Sequence, residues 1–285
     1  MGDYLVSVVI PTYKTNDSLY RAVKSVVDQT YKNIEIIVVD DNSPNSIYRR
    51  KAEEIMTNFR EVKYIKHETN KNGSAARNTG LREAIGDYIC FLDDDDFFYK
   101  NKIEKQINYL VKEKTDACTC FCKKNDKIIK FKAKDEYKYE ILMNEPTPQT
   151  SSLIIKKDCV YNLDGFDETY SRHQDYEFLL RFFEKYKIGL IEEVLYERCD
   201  NGVNNIPDAK KMEIIKNKFL QQFDYIIEKE NFNRKKIYAK NYASVIYLYF
   251  KERKIREGLF LLKKYNNIYT WIYLFQRSMK KLSKI

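Results

Sequence analysis

Between Leu5 and Leu92, short apolar runs alternate with segments whose apolar residues recur every three or four positions, and this alternation restricts the fold more than any other feature. Leu5 to Ile10 is broken only by Ser7, and Ile34 to Val39, Val62 to Ile65 and Tyr88 to Leu92 read as three further strands. Leu19, Ala22, Val23, Val26 and Val27 lie at helical spacing behind Asn16, Asp17 and Ser18, which are candidate caps. Ser74 to Ile85 reads as a second helix, and Ile103, Ile107, Leu110 and Val111 mark a third. Near-continuous apolar strands separated by helices imply an α/β fold: a mostly parallel central sheet with helices on both faces.

Beyond Pro146 and Pro148, Ser152 to Ile155 reads as a strand and Tyr176 to Phe183 as a helix. A loop at Asn201 to Pro207 divides the chain into an α/β region, 1–204, and a helical C-terminal region, 205–285. The net charge of +9 has the size of a nucleic-acid signature, but residues 205–285 hold 19 Lys and Arg against 7 Asp and Glu, while residues 1–204 are net acidic. An acidic body does not suit a groove that must neutralise many phosphates, so no nucleic-acid partner is expected. Phe219, Phe223, Ile226 and Ile227 form one apolar helical face of the basic region, and Val245, Leu248 and Tyr249 another. Leu259, Leu262, Tyr269, Ile272, Tyr273 and Phe275 continue among lysines. Two readings stand side by side: helices that pack on the α/β region and help shape its site, or an interfacial contact with an anionic membrane surface.

Met1-Gly2-Asp3 begins acidic, and the longest apolar run, Val245 to Phe250, is far below the ~20 residues of a membrane span. A cytoplasmic protein is expected, with the inner face of the plasma membrane as a peripheral location. Without a secretory signal the six cysteines are expected to be thiols. Cys118, Cys120 and Cys122 alternate as on one face of a strand, and the second ligand pair that a zinc site needs is not visible.

In open α/β sheets, ligands bind beyond the carboxyl ends of the strands. Here those ends read Pro11-Thr12-Tyr13, Asp40-Asp41-Asn42-Ser43 and Asp93-Asp94-Asp95-Asp96. Four successive carboxylates repel one another unless a cation neutralises them, and extended backbone would point Asp93 and Asp95 one way and Asp94 and Asp96 the other. Few, hard oxygen ligands suit Mg²⁺ or Mn²⁺ when phosphates complete the shell.

The strings SVVIPTY (7–13), VVDDNS (38–43), NGSAARNTG (72–80) and GDYICFLDDDD (86–96), in that order, resemble the inverting family 2 glycosyltransferases of the bacterial cell-surface polysaccharide type. The resemblance covers roughly residues 5–200. It implies the GT-A nucleotide-sugar-binding fold and a nucleoside-diphosphate sugar donor, usually a UDP-sugar, with a glycan or lipid-linked saccharide as acceptor. On this resemblance Pro11, Thr12, Tyr13 and Asp41 belong to the donor site, and Thr12, Tyr13 and Asp41 form its base pocket, where Tyr13 covers the ring and Asp41 accepts a base N–H. Gly73 and Ser74 open a helix beside the nucleotide, with Arg77 in its first turn. Asp93 or Asp94 lies near the ribose, and Asp95, with Asp93, binds the metal. Family members commonly place a Glu-Asp pair before an apolar helix, with the Asp as catalytic base; here the pair reads Gln174-Asp175.

Chemistry supports the same assignment, because a sugar hydroxyl needs a carboxylate to take its proton as it attacks. His173 is the rival base. A sugar nucleotidyltransferase is the alternative enzyme, but its Gly-rich loop after the first strand is not matched by PTYKTNDS. A dinucleotide-binding dehydrogenase would need Gly-x-Gly-x-x-Gly at that place.

Overall fold

The computed structural model describes residues 4–14, 17–199 and 207–282. The chain forms two compact units, one of Met1–Tyr137 with Pro146–Val203, the other of Lys138–Glu145 with Asn204–Ile285. All but Pro207 of the loop expected at Asn201 to Pro207 lies outside the described residues, as does the candidate cap Asn16.

The first unit opens with β1 (Val6–Thr12), α1 (Ser18–Val27), β2 (Ile34–Asp40), α2 (Ile47–Met56), β3 (Lys63–Lys66), α3 (Gly73–Glu83) and β4 (Tyr88–Phe91). It continues with β5 (Phe97–Phe98), α4 (Lys102–Glu113), β6 (Ala117–Lys124) and β7 (Lys127–Ile129). The helix α5 (Lys138–Leu142) belongs to the second unit. The first unit then closes with β8 (Ile154–Lys156), α6 (Lys157–Tyr161), α7 (Gln174–Phe182) and β9 (Ile188–Arg198).

The nine strands form one sheet in the order β3-β2-β1-β4-β8-β6-β9-β5, with β7 on β6. The pairs β1–β2, β2–β3, β1–β4 and β6–β9 are parallel. Because β8 pairs antiparallel with both β4 and β6, strands β1, β4, β6 and β9 all run in one sense. The strand order reverses at β1, so a crevice opens beyond the carboxyl ends of β1 and β4.

Strand alternation assigns the two faces. Val6, Val8 and Ile10 point into a core with Leu19, Val23, Ile103, Ile107 and Leu110 of α1 and α4. Cys118, Cys120 and Cys122 join the same cluster, which is the buried strand face expected of their spacing. Val9, Ile37, Ile89 and Phe91, all buried, point to the other face, where α3 packs on β1 and β2. That helix lies close because its contact residues are small: a Cβ at Gly80 would overlap the Val9 side chain. Gly80→Ala is therefore expected to destabilise the fold by about 1–3 kcal/mol, the usual scale of overpacking, read as a lower melting temperature.

Three differences from the sequence reading have physical reasons. Ser152 to Ile155 is not one strand: Thr150–Ser152 is a 3₁₀ turn, closed by the Ser152 N–H on the Gln149 carbonyl at 2.8 Å, and the strand starts at Ile154. The helix α2 went unread because a buried arginine, Arg49, occupies part of its inner face. Strand β5 is only two residues long, too short for any periodicity to show.

In the second unit α8 (Ala209–Gln222), α9 (Asp224–Lys229), α10 (Arg234–Lys251), α11 (Ile255–Lys264) and α12 (Ile268–Leu282) follow in order. Helices α8, α11 and α12 all pack on α10, whose Ile237, Tyr242, Val245 and Ile246 are buried. Phe219, Phe223, Ile226 and Ile227 are buried as well. The segment 138–145 is held there by polar contacts: the Asn241 amide donates to the Leu142 carbonyl (2.8 Å), Lys216 to Asn144 (2.7 Å) and Lys138 pairs with Glu230 (2.8 Å).

Candidate active site

The expected strand-end residues meet at the β1/β4 crevice, but not through two-residue alternation. Strand β4 ends at Phe91, and the Asp96 N–H closes a turn on the Asp93 carbonyl at 3.0 Å, so the four carboxylates diverge. Asp93 pairs with Arg77 (2.5 Å), Asp94 accepts from the Thr12 hydroxyl (2.6 Å), and Asp96 accepts from the Ser151 hydroxyl (2.8 Å) and the Cys199 N–H (3.3 Å). Asp95 has the Arg21 guanidinium on its backbone carbonyl at 2.7 Å.

The carboxyl groups of Asp94, Asp95 and Asp96 are held above the ordinary range. Burial, then the charges of Asp95 and Asp93, push Asp94 up to about 7 against the pull of Thr12. Burial and the Asp93 charge push Asp95 up to about 6, and Arg21 and Arg198 offset part of this. Asp96 is raised for the same reasons. Burial and mutual repulsion thus make these carboxylates costly to ionise, and a divalent cation beside them would offset that cost. Among the described residues, however, no three His, Cys, Asp or Glu side chains gather into a metal site. Hard carboxylate oxygens from Asp93 and Asp95, with the rest of the shell left to phosphates and water, are a donor set that fits Mg²⁺ or Mn²⁺.

The Asp40–Asp41 pair builds the wall beside this cluster. Asp40, fully buried, accepts from the Tyr64 hydroxyl and pairs with Arg49 at 3.0 Å. The Asp41 oxygens accept from His67 Nδ1 (2.8 Å), the Lys71 N–H (2.8 Å), the Asn72 N–H (2.9 Å) and the Asn70 amide (2.7 Å). Those four bonds fill the acceptor sites of the carboxylate. A base N–H would have to take the place of the Asn70 amide, whose residue is exposed. Tyr13, just after β1, is 47% exposed, with the Lys14 ammonium 5.2 Å from its ring centroid.

The loop fixed by Asp41 leads into α3. Asn72 caps that helix, its side-chain oxygen accepting from Ser74 N (2.9 Å) and Ala75 N (3.2 Å). Gly73 sits where a Cβ would stand 3.2 Å from both Arg77 Nη1 and Gln174 Oε1, so only glycine leaves that pair undisturbed. Two buried polar atoms here, Ser74 Oγ and Arg77 Nε, have no hydrogen-bond partner among the described residues. Unpaired buried donors are costly, and a phosphate at a helix N-terminus is what would satisfy them.

Arg77 also joins the two halves of the site: its Nη1 donates to Gln174 Oε1 at 3.0 Å while Nη2 holds Asp93. Gln174 opens α7, and Asp175 follows in its first turn. The cap position belongs to His173, whose backbone is left-handed (φ 64°) and whose ring stacks on Tyr176 (centroids 5.2 Å apart). Burial raises the Asp175 carboxyl above the usual range, with Asp93 adding to the rise and Arg77 opposing it. The helix is anchored by Glu177 and Arg181, which pair at 2.6 Å while Arg181 Nη2 donates to the Gly165 carbonyl at 2.8 Å.

Arg21 and Arg198 were not read from the sequence. Arg198 ends β9, a strand that runs in the sense of β1 and β4, so the strand-end argument would have found it once the direction of β9 was known. Arg21 lies on α1, where nothing in the sequence separates it from a surface arginine.

Comparison with known proteins identifies the family and the fold. The profile of the family described as Glycosyl transferase family 2 matches residues 7–187. The amylovoran biosynthesis glycosyltransferase AmsB of Erwinia amylovora is 31% identical over 198 residues, 64% of each chain. The Escherichia coli enzyme WfaP, named as a UDP-Glc:alpha-D-GlcNAc-diphosphoundecaprenol beta-1,3-glucosyltransferase, is 31% identical over 64% of this chain and 71% of its own. The chain spans 64% of AmsB and only 18% of an uncharacterised Rickettsia conorii glycosyltransferase, less than two thirds of either. The S. aureus TarS 1-349 structure in complex with UDP superposes with a TM-score of 0.61 at 16% identity, covering 96% of this chain and 91% of that one. The fold is therefore that of the GT-A glycosyltransferases, and the nucleotidyltransferase alternative falls away. With the family's profile running from β1 almost to β9 and the strand-end carboxylates in one crevice, the chain belongs to glycosyltransferase family 2.

Proposed function

We propose that this glycosyltransferase moves a sugar from a UDP-sugar to a hydroxyl of a glycan or lipid-linked saccharide in polysaccharide synthesis, with inversion at the anomeric carbon. Asp93 and Asp95 would hold Mn²⁺ or Mg²⁺, Thr12, Tyr13 and Asp41 the base, Asp94 the nucleoside side, and Ser74 and Arg77 the diphosphate. The bound cation supplies charge neutralisation for the leaving diphosphate. Asp175 takes the proton of the attacking hydroxyl. The observation that carries this reading is the Asp93–Arg77–Gln174 chain, which links the donor-side carboxylates to the residue next to the candidate base. The UDP and UDP-GlcNAc complexes of TarS and the lipid-linked acceptor named for WfaP support the choice of donor and acceptor class. A location at an anionic membrane face through residues 205–285 goes with such an acceptor, and no described helix is long and apolar enough to cross a membrane.

A melting-temperature screen against UDP-, dTDP- and GDP-sugars with and without Mn²⁺ tests the donor reading. Stabilisation by UDP-sugars that grows with Mn²⁺ is expected, and indifference to all three would refute it. Arg77→Gln separates the diphosphate from the base. It is expected to weaken UDP binding by roughly 10- to 100-fold, the scale of a lost charge-assisted contact, and to leave uridine binding unchanged in calorimetry. Equal losses for both ligands would place Arg77 outside the diphosphate site.

A further inference from the structure

Helix α12 packs against α10, and its least exposed side carries Tyr269, Thr270, Tyr273 and Leu274. Thr270 is fully buried with its hydroxyl on the Tyr265 carbonyl (2.5 Å), Arg277 lies over the Tyr247 ring (4.9 Å), and Lys240 of α10 lies over Tyr273 (4.6 Å). Five large hydrophobes of the helix, Ile268, Trp271, Ile272, Phe275 and Met279, are 42–67% exposed. At about 100° per residue they fall within one stripe roughly 100° wide. Helix α11 adds exposed Leu259 and Phe260. Helices α11 and α12 together hold eight of the seventeen large exposed hydrophobics of the described residues, a concentration that ordinary surface scatter does not produce.

We propose that α12 lies in the plane of an anionic lipid surface with this stripe inserted among the headgroups and upper acyl chains. Charge selects that occupant. From residue 253 to 285 the sequence has nine Lys and Arg and a single acid, Glu257. Two copies meeting through the stripe would bring these like charges together, whereas anionic headgroups neutralise them. A lone tryptophan within the apolar stripe also suits the headgroup boundary, where aromatic rings favour an amphipathic setting. The contact is interfacial, and no described helix is long and apolar enough to cross a bilayer. It deepens the proposed membrane-side location but stands on this face alone, independent of the donor chemistry.

Trp271 is the only tryptophan of the chain, so its fluorescence reports on this face and nothing else. The full-length protein is to be titrated with vesicles of phosphatidylglycerol mixed into phosphatidylcholine, and with pure phosphatidylcholine. The expected result is a blue shift with the anionic vesicles, quenching by lipids brominated along the acyl chain, and reversal at high salt. Phe275→Ser, with Trp271 kept as reporter, is expected to lower vesicle partitioning by roughly tenfold or more, from the apolar area it withholds. That variant should release UDP from a UDP-sugar in solution at the wild-type rate, which separates this proposal from the donor assignment. An unshifted Trp271 with anionic vesicles would overturn the proposal. So would a shift that follows protein concentration without lipid, assigning the face to a second copy, or one that follows an acidic protein instead.

Discussion

Asp175→Asn is expected to lower sugar transfer by roughly 10² to 10⁴, the range of a lost general base, with UDP binding almost unchanged. The amide keeps the shape of the carboxylate beside Gln174 but cannot take a proton. Because burial and Asp93 hold the Asp175 carboxyl above the ordinary range, wild-type activity should fall on the acid side at a higher pH than a free aspartate would give. That acid limb should be absent from the residual rate of the variant. His173→Ala is the control. If it cripples turnover while Asp175→Asn is mild, the base is the histidine.

Asp95→Asn is expected to abolish transfer together with the Mn²⁺-dependent part of UDP binding, since a neutral amide is a poor ligand for a hard cation. Its effect on stability should have the opposite sign. In the unfolded chain an aspartate titrates near 3.9, whereas in the fold Asp95 is pushed up to about 6. The folded state therefore holds the proton more tightly, and the stability this gives below pH ~4 is lost as the pH rises through about 6. Without metal, the asparagine variant should melt a few degrees above wild type at neutral pH and converge with it near pH 4. Wild-type activity that survives EDTA would remove the metal from the account.

The parts of the fold that the sequence displays are those whose signal is local. Strands β1, β2 and β4 are apolar almost throughout because both faces are covered, and their ends stand out because charge follows immediately. Thr12, Asp93 and Asp94 could be named in advance for that reason and Arg77 from the resemblance, and the structure pairs Thr12 with Asp94 and Arg77 with Asp93. What stayed hidden depends on distant partners. Arg49 reads as a surface residue of a polar helix until Asp40 is seen beside it. The segment 138–145 carries no mark that its partners lie at Glu230 and Asn241, about a hundred residues on. The apolar periodicity of α12 is plain in the sequence, but periodicity alone does not say which face turns inward. Here the side with Thr270, Tyr273 and Leu274 is the less exposed one, and the stripe with Trp271 and Phe275 is left open. Asp41 was legible as a site residue, whereas its role in holding the 67–72 loop needed the positions of His67 and Asn70.

The central claim is single displacement on a UDP-sugar, aided by a base on the far face and a metal on the leaving side. Donor hydrolysis without acceptor tests it without knowledge of the acceptor. Water then takes the place of the attacking hydroxyl, and proton NMR reads the first-formed sugar before it mutarotates. From an α-linked UDP-sugar with Mn²⁺ the account predicts the β-anomer first, no UDP release in EDTA and none from Asp95→Asn. An α-anomer formed first, or release that ignores the metal, would contradict it.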